Sequence, residues 1–171
     1  VQQGDQEANH YRMIRVGFGF DVHRLVEGRE LWLGGVLVPH SSGALGHSDA
    51  DVLLHAVCDA LLGAVALGDI GQHFPDTDAR WKGADSKELL KAVVQLLDAK
   101  GWTVGNVDCT LILERPKIMP HVPAMRAAMA PLLNVGLDAV SIKATTSETL
   151  GYVGREEGVC AHAVALVQRK S

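Results

Sequence analysis

The most apolar stretch of the chain, residues 52–67, limits the possible folds more than any other segment. Ser48, with Asp51 three residues later, predicts a capping box before it, and apolar residues then recur at helical spacing until a glycine at position 68. His55 and Asp59 interrupt the stretch, which is also shorter than the ~20 residues that a membrane span requires. It therefore predicts a core helix.

Composition indicates one domain that binds neither nucleic acid nor membrane. The 171 residues, 47% of them hydrophobic, suffice for one packed core but not for two ordinary domains. We predict a disordered tail or expression remnant at residues 1–13, which are mostly polar and resemble no targeting signal, and a single domain at residues 14–171. The net charge of −4 comes without any cluster of Lys and Arg.

The three cysteines indicate a reducing environment. Cys58, Cys109 and Cys160 are odd in number, widely spaced and set among apolar residues. This pattern predicts reduced core thiols and argues against a disulfide framework or a zinc knuckle. A cytoplasmic location, or a reducing organelle, would follow.

Periodicity along the chain predicts an α+β fold. Ile14, Val16, Phe18 and Phe20 alternate with other residues, which is the period of a half-buried strand. The other predicted elements are a hairpin at residues 31–39, helices at 85–101 and 123–131, and strands at 107–113, 140–144 and 159–168. Pro131 predicts a break or kink at the end of the third helix. Their order predicts a mixed sheet of four to five strands with helices on one face.

Three residues have the spacing of a metal site. Asp21 and His23 lie two apart at the end of the first predicted strand, so their side chains leave the same face. His55 lies one helical turn from Asp51 and from Asp59, and buried ionisable groups need partners to offset desolvation. An Asp/His/His set with an open fourth position is a common catalytic zinc site, in which Asp59 would orient an imidazole. A satisfied core or interface histidine explains His55 equally well.

Three loops carry polar groups that suit phosphates or cations. The turn at residues 46–49 leads into a helix N-terminus, which favours an anion, although a simple helix cap explains its serine too. The loop at residues 68–78 has more carboxylates than a connector needs, although most acidic loops are merely solvated. Residues 143–148 offer a lysine, hydroxyls and Glu148 for phosphates and a hard divalent cation, or form only a capped polar turn.

Five sequence blocks occur in a fixed order: GFDVH, HSDADVLLHAVCDALLGAVALGDIGQHFPDTD, KGADS, PKIMPHVPAMR and KATTSETLGYVGREEG. In this order and spacing, from about residue 15 to residue 168, they resemble the 2-C-methyl-D-erythritol 2,4-cyclodiphosphate synthase family. The resemblance implies conversion of 4-diphosphocytidyl-2-C-methyl-D-erythritol 2-phosphate to the cyclodiphosphate with release of CMP. This reaction belongs to the non-mevalonate pathway of isoprenoid precursor biosynthesis.

The resemblance also implies a site. Asp21, His23 and His55 would hold Zn²⁺, while Glu148, beside a catalytic Thr146, would hold a second divalent cation, Mg²⁺ or Mn²⁺. The implied substrate contacts are His47, Ser48, Asp69, Ile70, Gly71, Phe74, Asp76, Leu89, Leu113, Lys117, Ile118, Met119, Ala144, Thr145, Thr146, Tyr152 and Arg155. They divide into a methylerythritol phosphate pocket, a ribose subsite, a cytosine segment and a phosphate loop.

The implied assembly is a homotrimer with each site between two subunits and with a central channel that could bind an isoprenoid diphosphate. The implied location is the bacterial cytoplasm or the plastid stroma, and the chain is either monofunctional or a fragment of a fusion. His73, Pro131 and His162 depart from the commoner pattern, and His162 would line the channel.

Two other functions use the same residues. A zinc phosphodiesterase would activate water and hydrolyse the diphosphate, and a trimeric regulator would bind metal or nucleotide without turnover. Product analysis separates them, because only the synthase makes a cyclic diphosphate.

Overall fold

The computed structural model describes residues 13–75, 77–78, 81 and 83–170. Its strands are β1 (Ile14–Glu27), β2 (Leu31–Leu33), β3 (Val36–Val38), β4 (Ser42–Ala44), β5 (Trp102–Ile112), β6 (Val140–Thr145) and β7 (Gly158–Arg169). Its α-helices are α1 (Val52–Ala64), α2 (Ile70–His73), α3 (Ser86–Ala99), α4 (Val122–Leu133) and α5 (Gly151–Gly154). Residues 1–12 of the predicted tail lie outside the described part.

The main sheet has five strands in the spatial order β4, β1, β7, β5, β6. β5 and β6 are parallel and the other neighbouring pairs are antiparallel, so the predicted mixed sheet is confirmed. β2 and β3 form the predicted hairpin, which turns at Gly34 and Gly35. The helices α1, α3 and α4 cover one face of the sheet, as predicted, and the described core lies between them and the strands.

The helix α1 lies on β1 at backbone contact distance. Gly17 and Gly19 of β1 face the helix, and a Cβ atom on Gly17 would lie only 1.9 Å from the carbonyl oxygen of Ala60. A Cβ atom on Gly19 would lie equally close, 1.9 Å, to the carbonyl oxygen of Ala56. Neither glycine can be replaced without moving α1, so the two glycines set the position of the helix relative to the strand.

The alternation in β1 predicted the strand correctly, but the apolar face is not the buried one. Ile14, Val16 and Phe18 are 57%, 61% and 62% exposed, whereas Gly17 and Gly19, on the opposite face of the strand, are buried. The reason is the close approach of α1, which leaves no room for large side chains beneath it. An apolar surface therefore lies open on the side of the sheet that faces away from the helices.

The helix α1 starts after Asp51 and not after Ser48, so the predicted capping box is wrong. The Asp51 carboxylate accepts hydrogen bonds from the backbone N–H groups of Leu53 and Leu54, both at 3.1 Å. It also accepts two from the β2–β3 turn, at 2.9 and 2.6 Å. Burial raises the pKa of Asp51, while these N–H groups oppose the rise. A fully buried carboxylate thus satisfies four donors, which one serine hydroxyl could not do.

The helix α4 continues past Pro131 to Leu133, so of the break or kink predicted at the proline the break is wrong. Proline lacks the N–H group that would bond to the carbonyl four residues earlier. Its position near the helix end confines the loss to the last turn. The helix ends at Asn134, which has a left-handed φ of 56° and donates to carbonyls of that last turn.

Two further expectations concern membranes and thiols. No helix among the described residues is long and apolar enough to cross a membrane. Cys58, Cys109 and Cys160 are buried and form no disulfide, as predicted. Burial raises the pKa of the Cys109 thiol to about 12.

The packing of α1 on β1 predicts that two Gly→Ala substitutions differ in their effect on the free energy of unfolding. Gly19→Ala places a methyl group against the α1 backbone, so we expect a loss of about 3 kcal/mol in the free energy of unfolding, the upper end for overpacking. Gly63→Ala is the control, because nothing lies within 4 Å of a Cβ atom there, and in a helix it should be neutral or gain up to about 1 kcal/mol. Urea unfolding at one protein concentration measures both. Wild-type stability in Gly19→Ala would contradict the close contact.

Candidate active site

Asp21 and His23 of β1 and His55 of α1 bring three ligand atoms together. Asp21 Oδ2 lies 3.0 Å from both His23 Nε2 and His55 Nδ1, and the two nitrogens are 3.2 Å apart. The two β1 residues share a face as predicted, although β1 continues to Glu27 and does not end beside them. Three ligands of a tetrahedral zinc ion, each ~2.0–2.1 Å from the metal, would lie about 3.3 Å apart. The predicted triad therefore has nearly the spacing that such an ion needs.

Burial and charge act in opposite directions in this triad. Burial opposes the anionic form of Asp21, but hydrogen bonds with His23 and His55 outweigh it and hold the pKa of Asp21 well below its usual range. Burial also opposes a charged His55, yet Asp21 raises the pKa of His55. Three acceptor atoms this close repel one another unless a proton or a cation lies among them. Two imidazole nitrogens and one carboxylate suit a borderline divalent cation such as zinc.

The triad forms part of the wall of a cavity of about 600 Å³. The other described residues in its lining are Leu45, Gly46, His47, Ser48, Ile70, Gly71, Phe74, Trp81 and Leu89. Six of these were predicted as substrate contacts, whereas Leu45, Gly46 and Trp81 were not. Trp81 packs edge-on against Phe74, with ring centroids 4.9 Å apart. None of the described lining residues is Lys or Arg, so these side chains offer an anionic ligand no permanent positive charge.

Two carboxylates hold the short helix α2 beside this cavity. Asp69 caps α2 by accepting a hydrogen bond from the Gln72 N–H group at 3.0 Å, and its side chain is exposed. Asp59 accepts one from the Ile70 N–H group at 2.8 Å. The sequence had suggested that Asp59 orients an imidazole ring. Instead, Asp59 anchors α2. Burial and nearby carboxylates raise the pKa of Asp59. Asp76 lies outside the described residues.

A second cavity, of about 120 Å³, lies where β5 and β6 end. It is lined by Leu113, Glu114, Pro116, Lys117, Ile118, Met119, Ala144, Thr145 and Thr146. Seven of these residues were predicted as substrate contacts, and none also lines the first cavity. Tyr152 and Arg155 line neither cavity. Arg155 instead forms a two-point ion pair with Glu157, with both contacts at 2.9 Å.

The loop that carries Glu148 depends on Glu114, which sequence reasoning did not single out. Glu114 Oε1 accepts hydrogen bonds from the Ser147 N–H and hydroxyl groups, both at 2.9 Å, and from the Thr149 N–H group at 3.2 Å. Glu148 and Thr149 have φ values of 53° and 64°, which residues other than glycine rarely adopt. Thr146 donates to Glu148 Oε1 at 3.2 Å. No local pattern reveals Glu114, because its partners lie 33 to 35 residues away.

Comparison with known proteins gives one family. The model of the YgbB family matches residues 14–168. The 2-C-methyl-D-erythritol 2,4-cyclodiphosphate synthase of Salinibacter ruber is 63% identical, over 91% of this chain and 99% of that protein.

Solved structures agree with this result. The bifunctional IspDF of Campylobacter jejuni is 39% identical with a TM-score of 0.89, over 92% of this chain but only 43% of that longer one. A 2C-methyl-D-erythritol-2,4-cyclodiphosphate synthase in a CDP-bound form is 43% identical with a TM-score of 0.83, over 90% of this chain and 99% of that one.

The contacts of Glu114 predict the behaviour of its loop. Glu114→Ala removes the acceptor of three hydrogen bonds, so we expect roughly tenfold faster amide exchange at Ser147 and Thr149. Glu114→Gln keeps a carbonyl oxygen and should retain most of the protection. Glu156→Ala, which removes a nearby exposed glutamate paired with Arg115, is the control. Unchanged exchange in Glu114→Ala would show that the loop does not need this residue.

Proposed function

This chain belongs to the YgbB family, and we infer that it converts 4-diphosphocytidyl-2-C-methyl-D-erythritol 2-phosphate to 2-C-methyl-D-erythritol 2,4-cyclodiphosphate with release of CMP. The enzyme is a phosphorus–oxygen lyase of the non-mevalonate pathway to isoprenoid precursors. We further propose that Asp21, His23 and His55 hold Zn²⁺ and that Glu148 holds a second divalent cation, Mg²⁺ or Mn²⁺.

The reaction is an internal displacement at phosphorus. An oxygen of the 2-phosphate attacks the β-phosphorus, one P–O bond forms, and the bond from that phosphorus to the bridging oxygen breaks. The electron pair of the broken bond leaves with CMP. Because the nucleophile is already an anion, no side chain has to remove a proton. The protein must instead bend a flexible substrate into a ring and offset the repulsion between its phosphates.

The observation that carries the metal proposal is the combination of converging ligands and missing cationic side chains. Asp21 Oδ2, His23 Nε2 and His55 Nδ1 meet at the wall of a cavity whose described lining has neither Lys nor Arg. A polyanionic substrate would be repelled by Asp21 unless a cation lay between them. Bound zinc would supply a Lewis acid for phosphate oxygens at this point.

The remaining residues bind and orient the substrate. In the first cavity Ile70, Phe74 and Leu89 form an apolar wall that limits the access of water to the reacting phosphates. The Ser48 hydroxyl, on the turn before α1, is placed to donate to a phosphate oxygen. Thr146 lines the second cavity and its hydroxyl donates to Glu148, which is not itself among the lining residues; this pairing would let both residues contact the diphosphate.

Two features support a homotrimer whose sites lie between subunits. Substrate contacts are divided between two cavities of one chain that share no lining residue, so a neighbouring subunit would have to bring the missing half to each. The open apolar face of β1 and β7 also needs a cover. On that face the His162 ring lies 5.7 Å from Phe18 and 5.0 Å from Phe20, between ring centroids. Binding of an isoprenoid diphosphate in a central channel stays a prediction.

Removing one of the three proposed zinc ligands, His55, tests the metal site. We expect the wild-type protein to hold one zinc ion per chain, and His55→Ala to lose stoichiometric zinc and most activity while remaining folded. His121→Ala, which lies outside both cavities, should keep both. Metal analysis measures the first result. Phosphorus NMR of the product measures the second, and a linear bisphosphate in place of the cyclic diphosphate would indicate a hydrolase.

Mixing two inactive variants tests the shared site. His55→Ala damages the zinc half, Glu148→Gln damages the loop half, and each homotrimer should be nearly inactive. Refolding both at equal ratio makes about three quarters of the rings mixed, and each mixed ring has one intact junction in three, so activity should recover to roughly one quarter of wild type. If native mass spectrometry finds mixed rings without recovery, both residues act in the same subunit's site.

A further inference from the structure

We propose that Ser86 and Asp49 are positioning residues that keep the hydrogen of the His55 ring on Nε2, so that Nδ1 is free to bind the metal. This inference rests on the proposed zinc site at Asp21, His23 and His55. It assigns a task to two side chains that lie outside that triad, one of them fully buried.

The three residues form a chain of hydrogen bonds behind the triad. Nε2 of His55 lies 2.9 Å from the Ser86 hydroxyl, on the side of the ring opposite to Asp21. The Ser86 hydroxyl donates to Asp49 Oδ1 through a short hydrogen bond. The Ser86 N–H group donates to the other oxygen, Asp49 Oδ2, at 3.0 Å. Both oxygens of Asp49 are thus bound to one residue, Ser86, which fixes the carboxylate as well as the hydroxyl.

The direction of this chain follows from counting hydrogens. Asp49 as a carboxylate can only accept, so the one hydroxyl hydrogen of Ser86 is directed at it. The Ser86 oxygen then faces His55 with its lone pairs and must receive a hydrogen from Nε2. A neutral imidazole carries one ring hydrogen, so Nδ1 is left with a lone pair. That nitrogen is the one that meets Asp21 and His23.

This chain of hydrogen bonds from Asp49 through Ser86 to His55, called the relay below, is needed because the triad favours the ring hydrogen of His55 on the other nitrogen, Nδ1. In the metal-free protein Asp21 Oδ2, at 3.0 Å, would attract the ring hydrogen to Nδ1, where it would block the metal. The Asp49–Ser86 pair offers a competing acceptor at Nε2. The Ser48 oxygen is a second, more distant acceptor for a hydrogen on Nε2, at 3.2 Å, and it also accepts from the Ala50 N–H group with its other lone pair. Partners behind a metal-binding histidine commonly fix its ring in this way.

Ser86 has no other evident task that would explain a fully buried hydroxyl. It is the first residue of α3, but the cap of that helix is Asp85, whose side chain accepts from the Lys87 N–H group at 2.9 Å. The neighbours Asp85 and Ser86 therefore separate two effects. Asp85 supports the helix start, whereas Ser86 reaches across to α1. This division supplies a matched control variant.

Zinc affinity is the first measurement, made on purified protein by competition with a chelator. Ser86→Ala should bind zinc about 10–100-fold more weakly than wild type. Asp85→Ala should remain within about twofold, because loss of an exposed cap alters the helix end and not the ligand. Asp49→Asn should weaken zinc binding as Ser86→Ala does. Wild-type affinity in a folded Ser86→Ala protein, or equal weakening in Asp85→Ala, would overturn the proposal.

Nitrogen NMR of the His55 ring is the second measurement, on zinc-free protein at a pH where the ring is neutral. We expect the hydrogen on Nε2 in the wild type and a shift toward Nδ1 in Ser86→Ala and Asp49→Asn, which a purely structural role would not produce. A wild-type ring with its hydrogen on Nδ1 would refute the relay. Because this measurement needs no metal, it tests the relay even if the wild type binds no zinc. Absence of zinc binding in the wild type would instead refute the proposed metal centre. Should Ser86→Ala fail to fold, Asp49→Asn carries both measurements.

Discussion

The backbone of α1 rests on Gly17 and Gly19 of β1, where even a methyl group would collide with helix carbonyl oxygens. Because His55 belongs to α1, and Asp21 and His23 belong to β1, this contact sets the distance across the triad. The same contact turns the larger side chains of β1 to the other side of the sheet. Direct contact between the backbones of α1 and β1 thus produces both the candidate metal site and the open apolar face.

Carboxylates around the site mostly hold backbone in place. Asp51 joins the start of α1 to the β2–β3 turn, Asp59 anchors α2, and Glu114 holds the loop after β6. Each accepts hydrogen bonds from N–H groups that buried or strained backbone would otherwise leave unpaired. Asp21 also accepts from a backbone N–H group, that of Val22, but its other oxygen lies 3.0 Å from two imidazole rings, so Asp21 differs from these three in sharing its charge with potential metal ligands.

One chain presents two separate cavities, which we propose are two half-sites, and their separation has a structural cause. The first cavity is built around the N-terminal end of α1 and the second around the ends of β5 and β6, and no described residue lines both. Under the proposed function, a substrate with a sugar phosphate at one end and a cytidine at the other would need both. The proposed trimer accounts for this need and for the exposed Phe18 and Phe20 with a single arrangement of subunits.

By itself the sequence determined most of the regular elements, although not β4, α2 or α5, and it determined the chemical types at the site. Local periodicity is enough for α1 and α3, and the five ordered blocks pointed to the family and to Asp21, His23 and His55. Only the tertiary structure decided which face of β1 is buried and which tasks fall to Asp51, Asp59, Glu114 and Ser86. These outcomes depend on contacts between segments far apart in the chain, such as the 31 residues from His55 to Ser86, and no local pattern records such distances.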